Sequence, residues 1–225
     1  MPKKPFSSEE IEAQCQRIMD SAATVTANVG FHHLSMRKMA IELGMTASNI
    51  YNYFPSKERL FLHTRQRGFE LLLASMKRTM LNGNVDANGV SASLYDFAHH
   101  LVDFASRFPG YYQLMFQPPI LTNPIEQDDE KRIAWQIERL MNEWQAHVSS
   151  LVLDALPPLR LVSAQQQQRA VLFVVSSLHG LIDTYRHGAI TQLLQEVELI
   201  PQDVIAEHVA WLLQGLHQVQ AVRSI

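Results

Sequence analysis

Leu34-Ser35-Met36-Arg37-Lys38-Met39-Ala40-Ile41-Glu42-Leu43-Gly44-Met45-Thr46-Ala47-Ser48-Asn49-Ile50-Tyr51-Asn52-Tyr53-Phe54-Pro55-Ser56-Lys57 reads as two short helices joined by a tight turn. Ser35 can cap the first helix. Its Met36, Met39, Ala40 and Leu43 recur at three- and four-residue steps and so share one face. Gly44 supplies the left-handed residue that stops that helix. Thr46 caps the second, in which Ile50 and Phe54 share a face, and Pro55 closes it. Two short helices about a Gly turn form a helix-turn-helix.

The outward residues of the second helix are Ala47, Ser48, Asn49, Asn52 and Tyr53, with Tyr51 at the flank. They are small or polar and none is acidic. Such a face approaches phosphates without repulsion, and Ser and Asn also bond to base edges in a major groove. Ser35 and Thr46 place free helix N–H groups where a duplex backbone would run. Arg37, Lys38 and Lys57 add positive charge around the same surface.

From about Glu9 to Leu62 the chain resembles the DNA-binding domain of the TetR family of transcriptional regulators. The residues that carry the resemblance are Gly30, Ser35, Arg37, Gly44-Met45-Thr46, Ile50-Tyr51-Asn52-Tyr53-Phe54 and Ser56-Lys57-Glu58. One position departs from the pattern. Where members often carry a basic or longer polar residue after the Thr/Ser, this chain has Ala47, which touches a thymine methyl but cannot hydrogen-bond.

With 225 residues the chain can hold one large or two small domains and a substantial core. The net charge of −3 excludes a generic polycation. Residues 1–60 carry seven Lys/Arg against six Asp/Glu, a net of +1, and the remainder a net of −4. A nucleic-acid site is therefore local and amino-terminal. Cys15 is the only cysteine, so no intramolecular disulfide forms, which fits a reducing compartment. It falls in an apolar stripe and reads as a small buried hydrophobe. The basic arm Met1-Pro2-Lys3-Lys4-Pro5-Phe6 is followed by Ser8-Glu9-Glu10 rather than a signal-peptide core. The longest apolar run, Ala170 to Val175, is too short to span a membrane. The expected location is the cytoplasm.

The fold class that follows is all-α, with no period-2 pattern anywhere. Ser7 and Glu10 form a capping box that opens a first helix. Ile11, Cys15, Ile18, Met19, Ala22 and Val25 line its apolar stripe, and Gly30 ends it. A helix from about 56 to 81 follows, and Asn82-Gly83-Asn84 with Asn88-Gly89 is the strongest break in the chain. Residues 1–57 are expected to form a three-helix DNA-binding domain. Residues 58–225 are expected to form a larger helical domain for ligand binding and dimerisation. Within it, Leu94 to Ala105 is apolar over a wide arc, and Pro109-Gly110 breaks it before an aromatic segment, Tyr111 to Phe116. Pro118-Pro119 and Pro124 bracket a loop before a long helix from about 126 to 156.

The last two helices, from Ser163 to about Arg186 and from Pro201, carry generous apolar arcs. The resemblance implies that they pair with those of a second subunit in a four-helix interface. A homodimer reads a palindromic operator with two recognition helices about one duplex turn apart, roughly 34–36 Å.

Phe104, Tyr112, Met115, Phe116, Trp135 and Trp144 are candidates to line an apolar ligand pocket, with His100, His147, His179 and Asp183 as polar anchors. Ser177-Leu178-His179-Gly180-Leu181 also resembles the His-Gly element of one regulatory subgroup of the family. For each aromatic, plain core packing is the competing reading. His99-His100 with Asp103, and His179 with Asp183, have helical spacing, but no established metal motif accompanies them, and no metal or cofactor is expected. No catalytic motif occurs, so an enzyme is not expected. The expected function is a sequence-specific, ligand-responsive repressor that binds duplex DNA and a partly apolar small-molecule effector. The alternatives are an activator of the same fold and a protein-interaction adaptor that no longer reads DNA.

Overall fold

The computed structural model describes residues 7–82, 91–116, 118, 128–187 and 201–223. Every regular element among them is helical. In chain order these are α1 (Ser8–Val29), α2 (Met36–Glu42), α3 (Ala47–Tyr53), α4 (Lys57–Asn82) and α5 (Ser91–Arg107). Then come α6 (Pro109–Phe116), α7 (Asp128–Ala155), α8 (Ala164–His187) and α9 (Pro201–Arg223). Short 3-10 helices at Phe31–His33 and Pro157–Leu161 join α1 to α2 and α7 to α8. The all-α expectation is met throughout these segments. None of the helices is long and apolar enough to cross a membrane. The basic arm at 1–6, the Asn-Gly breaks at 83–84 and 88–89, and the loop around Pro119 and Pro124 lie outside the described residues.

The chain divides into two compact units: Met1–Leu72 with Arg107–Met141, and Leu73–Ser106 with Asn142–Ile225. The change of unit falls within α4 and within α7, so each of these helices contributes to both.

In the first unit a small core gathers Ile18 and Ala22 of α1, Leu34, Met36, Met39 and Ala40 of α2 and its approach, Ile50 and Phe54 around α3, and Leu60 of α4. The capping box is present: the Ser7 N–H donates to Glu10 Oε2 at 2.7 Å, and the Glu10 N–H donates to Ser7 Oγ at 3.2 Å. A cap of this kind stabilises a helix by about 1 kcal/mol. The apolar stripe of α1 begins later than its sequence suggests. The whole first turn is exposed, Ile11 included, and Cys15 is half-buried against the small core. Among the described residues of the first unit, Thr26 and Thr64 are buried polar side chains. Each donates its hydroxyl to the carbonyl four residues back, Ala22 and Leu60, at 2.8 and 2.7 Å, so neither leaves a polar group unsatisfied.

α1 also packs along α6, which Pro109 opens as a first-turn residue. The aromatic segment expected after the Pro-Gly pair is this helix. Tyr111 donates its hydroxyl to Asp20 at 2.7 Å and accepts from Gln16 at 3.1 Å.

In the second unit the wide apolar arc of α5 is buried, with Leu94, Phe97, Ala98, Leu101 and Phe104 all inside. Phe97 meets Trp144 of α7 with ring centroids 6.4 Å apart. Ser163 caps α8, its N–H donating to Gln166 Oε1 at 3.1 Å. Ser177 of α8 and His208 of α9 are hydrogen-bonded at 2.9 Å.

Gly30 ends α1 with φ 83 and ψ 155. That combination is close to glycine-only. Gly30→Ala is expected to cost about 1–3 kcal/mol, read as a lower urea midpoint with an unchanged slope. An unchanged midpoint would mean the α1–α2 link relaxes to another conformation.

Candidate nucleic-acid interface

The turn between α2 and α3 is closed by two backbone bonds. Gly44 N–H donates to Ile41 O at 3.0 Å and Met45 N–H to Ala40 O at 2.7 Å. This double closure needs a left-handed residue, and Gly44 has φ 67. Ala40 and Met45 both pack on the small core, which fixes the angle at which α3 leaves the turn. The two N-termini are capped as their sequence implies. Lys38 N–H donates to Ser35 Oγ at 3.4 Å, and Asn49 N–H to Thr46 Oγ1 at 3.1 Å.

Ile50 is buried on the inner face of α3. That anchor turns Ser48, Tyr51 and Asn52 outward: all three are exposed, Tyr51 at 46%. Asn49 is half-exposed, and Thr46 is open at the start of the helix. Ala47 and Tyr53 sit differently. Both are half-buried and pack against the small core, so only part of each is available to a partner. Arg37 and Lys38 on the first turn of α2 are exposed, while Ser35 is half-buried by its cap.

Lys57 has a structural tie that sequence does not reveal. Its Nζ donates to the His32 carbonyl at 3.3 Å and lies 4.3 Å from the centre of the Phe31 ring. Burial pushes its pKa down, partly opposed by Glu58. The ammonium pins the Phe31–His33 turn to the start of α4 and keeps remaining N–H donors for a phosphate. The Asn/Ser/Tyr surface, with Arg37 and Lys38 beside it, is uncharged or cationic, which suits a polyanion.

His63 on α4 stands under this surface, its ring 5.6 Å from that of Phe54 in a T-shaped contact. Burial lowers its pKa from the usual 6.5, and Arg59 and then Arg132 lower it further. Burial likewise lowers His147, His179 and His208, with Asp183 opposing the shift at His179 and Ser177 opposing it at His208. The unfolded chain therefore takes up protons first as pH falls below about 6.5. The stabilisation these neutral histidines provide is fully present above that pH and lost as pH falls towards their lowered folded values. Urea midpoints should drop from pH 7.5 to 5.5, and His63→Gln should reduce the drop. An equal drop in His63→Gln would place the effect at the other three.

The candidate pocket residues distribute over both units. Tyr112 and Met115 are buried and Phe116 half-buried in the first unit. Rings of Tyr112 and Phe116 lie 5.0 Å apart, and Phe116 meets Phe69 at 5.8 Å. Phe104 and Trp144 are buried in the second unit, where His100, His147, His179 and Asp183 are half-buried. His100 Nδ1 faces the Asp96 carbonyl of its own helix. Trp135, also a candidate pocket residue, is placed differently from the others. It is 60% exposed, with the Arg139 guanidinium 5.8 Å from its ring, because its position on α7 points away from the Ile133 and Ile137 stripe. Among the described residues, no three His, Cys, Asp or Glu side chains gather closely enough to hold a metal ion.

Residues 18–64 match the family described as bacterial regulatory proteins, tetR family. Residues 94–208 match the tetracyclin repressor-like C-terminal domain. The HTH-type transcriptional repressor KstR of Mycolicibacterium smegmatis is 28% identical over 83 residues, which is 37% of this chain and 41% of that protein. The nucleoid occlusion factor SlmA of Idiomarina loihiensis is 23% identical over 190 residues, 84% of this chain and 87% of that protein. The chain thus spans less than half of the first relative and most of the second. Among solved structures, the TetR-family regulator PfmR from Thermus thermophilus aligns with a TM-score of 0.64 at 15% identity, over 88% of this chain and 97% of that one. FadR from Bacillus subtilis, solved with stearoyl-CoA, aligns with a TM-score of 0.63 at 13% identity, over 89% and 98%. At such identities the structures bear on fold alone. The second match alone spans more than half of the chain, and the first falls on the helix-turn-helix built above: the chain belongs to the TetR family of bacterial DNA-binding transcriptional regulators.

Proposed function

We propose that the chain is a ligand-responsive repressor that binds a palindromic operator as a homodimer in the cytoplasm. The observation that carries this is the outer face of α3, where Ser48, Tyr51 and Asn52 stand exposed beside Arg37 and Lys38 with no acidic residue on the helix. Tyr51, Tyr53, Arg37 and Lys57 hold phosphates, with the capped starts at Ser35 and Thr46 helping. Ser48, Asn49 and Asn52 face base edges, and Ala47 adds an apolar contact. On this reading residues 1–57 read DNA, and residues 58–225 bind the effector and dimerise.

Exposed apolar residues on the last two helices support the dimer. Leu172 and Phe173 on α8 and Trp211 on α9 are exposed, Leu172 at 66% and Trp211 at 67%. Large apolar side chains left open on two neighbouring helices of one unit suit a four-helix interface. Control is a population shift: the effector favours a spacing of the recognition helices that no longer matches the operator, to the extent that it binds one state better.

Selection from a random duplex library at fixed salt tests the reading. The wild type should enrich one palindrome, and Tyr51→Ala should weaken or lose the enrichment. No enrichment at any salt would favour the interaction adaptor.

A further inference from the structure

Three of the cations that follow Glu58 on α4 have a carboxylate. Arg59 pairs with Asp129 at 3.2 Å, Arg67 with Glu70 at 3.6 Å and Lys77 with Glu143 at 2.8 Å. Arg65 has none among the described residues. Its Nε is fully buried without an acceptor. Its Nη2 meets only the sulfur of Met141 on α7, at 3.3 Å, and its guanidinium carbon lies 5.9 Å from the centre of the Phe69 ring. The sequence explains the vacancy of acids: one helical turn either way from Arg65 stand Phe61, Leu62, Gly68 and Phe69.

A half-buried guanidinium without an anion is unfavourable, because its desolvation is not repaid by a charge partner. A thioether is a weak acceptor on a flexible side chain, and Met141 is itself exposed, so an incoming oxygen can displace it. Phe69, against which the guanidinium lies, continues into the Phe116 and Tyr112 rings, with the Met115 side chain beneath Gly68. Phe69, Tyr112 and Met115 are buried and Phe116 is half-buried, so the cation stands at the edge of an aromatic cluster whose partly open member is Phe116, all within the first unit.

We propose that Arg65 is the anion anchor of the effector, and that the effector is an amphipathic organic anion with a carboxylate or phosphate head on an apolar body. The planar fork takes two head oxygens side by side, and the body lies along the exposed Met141 and the half-buried Phe116. This rests on the ligand-responsive reading above and names the chemistry of its ligand.

The test uses the full-length dimer with decanoate, decyl phosphate and the neutral isostere decanamide as probes, read by calorimetric binding, thermal shift and operator release. In the wild type at least one anion should bind about tenfold or more tighter than decanamide. In Arg65→Met that preference should vanish, while the melting temperature without ligand stays equal or rises. Arg65→Lys keeps the charge but not the fork and should retain a reduced preference. Preference for decanoate or for decyl phosphate identifies the head group. A lower unliganded melting temperature in Arg65→Met with its anion preference intact would make Arg65 a structural residue and overturn the assignment. Equal binding of decanamide and the anions, with operator release by all three, would overturn the anchor and leave ligand control standing. Binding of no probe by a wild type that still holds its operator would overturn the anchor alone.

Discussion

Gly110→Ala is expected to lower the melting temperature by roughly 6–12 °C, the largest effect of a single added methyl among the described glycines. A Cβ built at Gly110 falls 1.8 Å from the Ala23 carbonyl oxygen and 2.4 Å from its carbon. These are backbone atoms in the interior of α1, so no side-chain rotation relieves the overlap. The helices must separate, and separation breaks what joins them beside that point. Tyr111 would lose its bonds to Asp20 and Gln16. Its hydroxyl is held deep enough that burial, reinforced by Asp20, pushes its pKa well above the usual phenol range. Overpacking a tight site costs about 3 kcal/mol, and each kcal/mol moves the midpoint of a chain this long by roughly 2–4 °C. Gly44→Ala provides the contrast. Nothing lies within 4 Å of its Cβ, so only the left-handed φ is penalised, by about 1 kcal/mol. Scanning calorimetry at one protein concentration checks both, since a midpoint coupled to the proposed dimer would depend on concentration. A Gly110→Ala midpoint within a degree or two of wild type would mean that α6 shifts along α1 without loss.

The difference between these two glycines shows which parts of the fold the sequence discloses. Gly44 acts through bonds to Ile41 and Met45's partner Ala40, all within five residues, and such local rules are readable by eye. The same holds for Ser7 with Glu10, Ser35, Thr46 and Ser163, whose caps appear where their spacing puts them. The helix-turn-helix is legible because it is almost entirely a local device with one small core. Gly110 acts through Ala23, far away in sequence, and a Pro-Gly pair before aromatic residues looks the same whether it breaks a helix or admits a neighbour. Lys57 reads as a free phosphate-binding cation until its reach to the His32 carbonyl is seen. The exposure of Trp135 is hidden in the sequence because composition does not say which way α7 is rotated. Arg65 looks like any helix-surface arginine until the partners of its neighbours are compared.

Arg37→Ala should weaken operator binding nearly equally on every sequence and flatten its salt dependence. Arg37 is exposed at the start of α2, and no carboxylate holds it among the described residues, so its charge is available to a phosphate. Each phosphate neutralised contributes about 0.9 to the slope of log affinity against log salt. In a homodimer on a palindrome the substitution removes the contact twice, so the slope should fall by about 1.8. A fall near 0.9 would instead indicate one reading domain per site, and no change would mean that Arg37 touches no phosphate. Asn52→Ala separates base reading from backbone holding. Its amide is exposed on the outer face of α3 and can bond a base edge, so its loss should relax preference at one symmetric pair of positions by about 1–3 kcal/mol each. The salt slope should stay put, because no charge is removed. Titrations of the selected palindrome and a scrambled duplex at several salt concentrations give both quantities from one set of curves. If Asn52→Ala lowered affinity for both duplexes alike, Asn52 would join Arg37 as a backbone contact, and specificity would rest on Ser48, Asn49 and the apolar contact of Ala47.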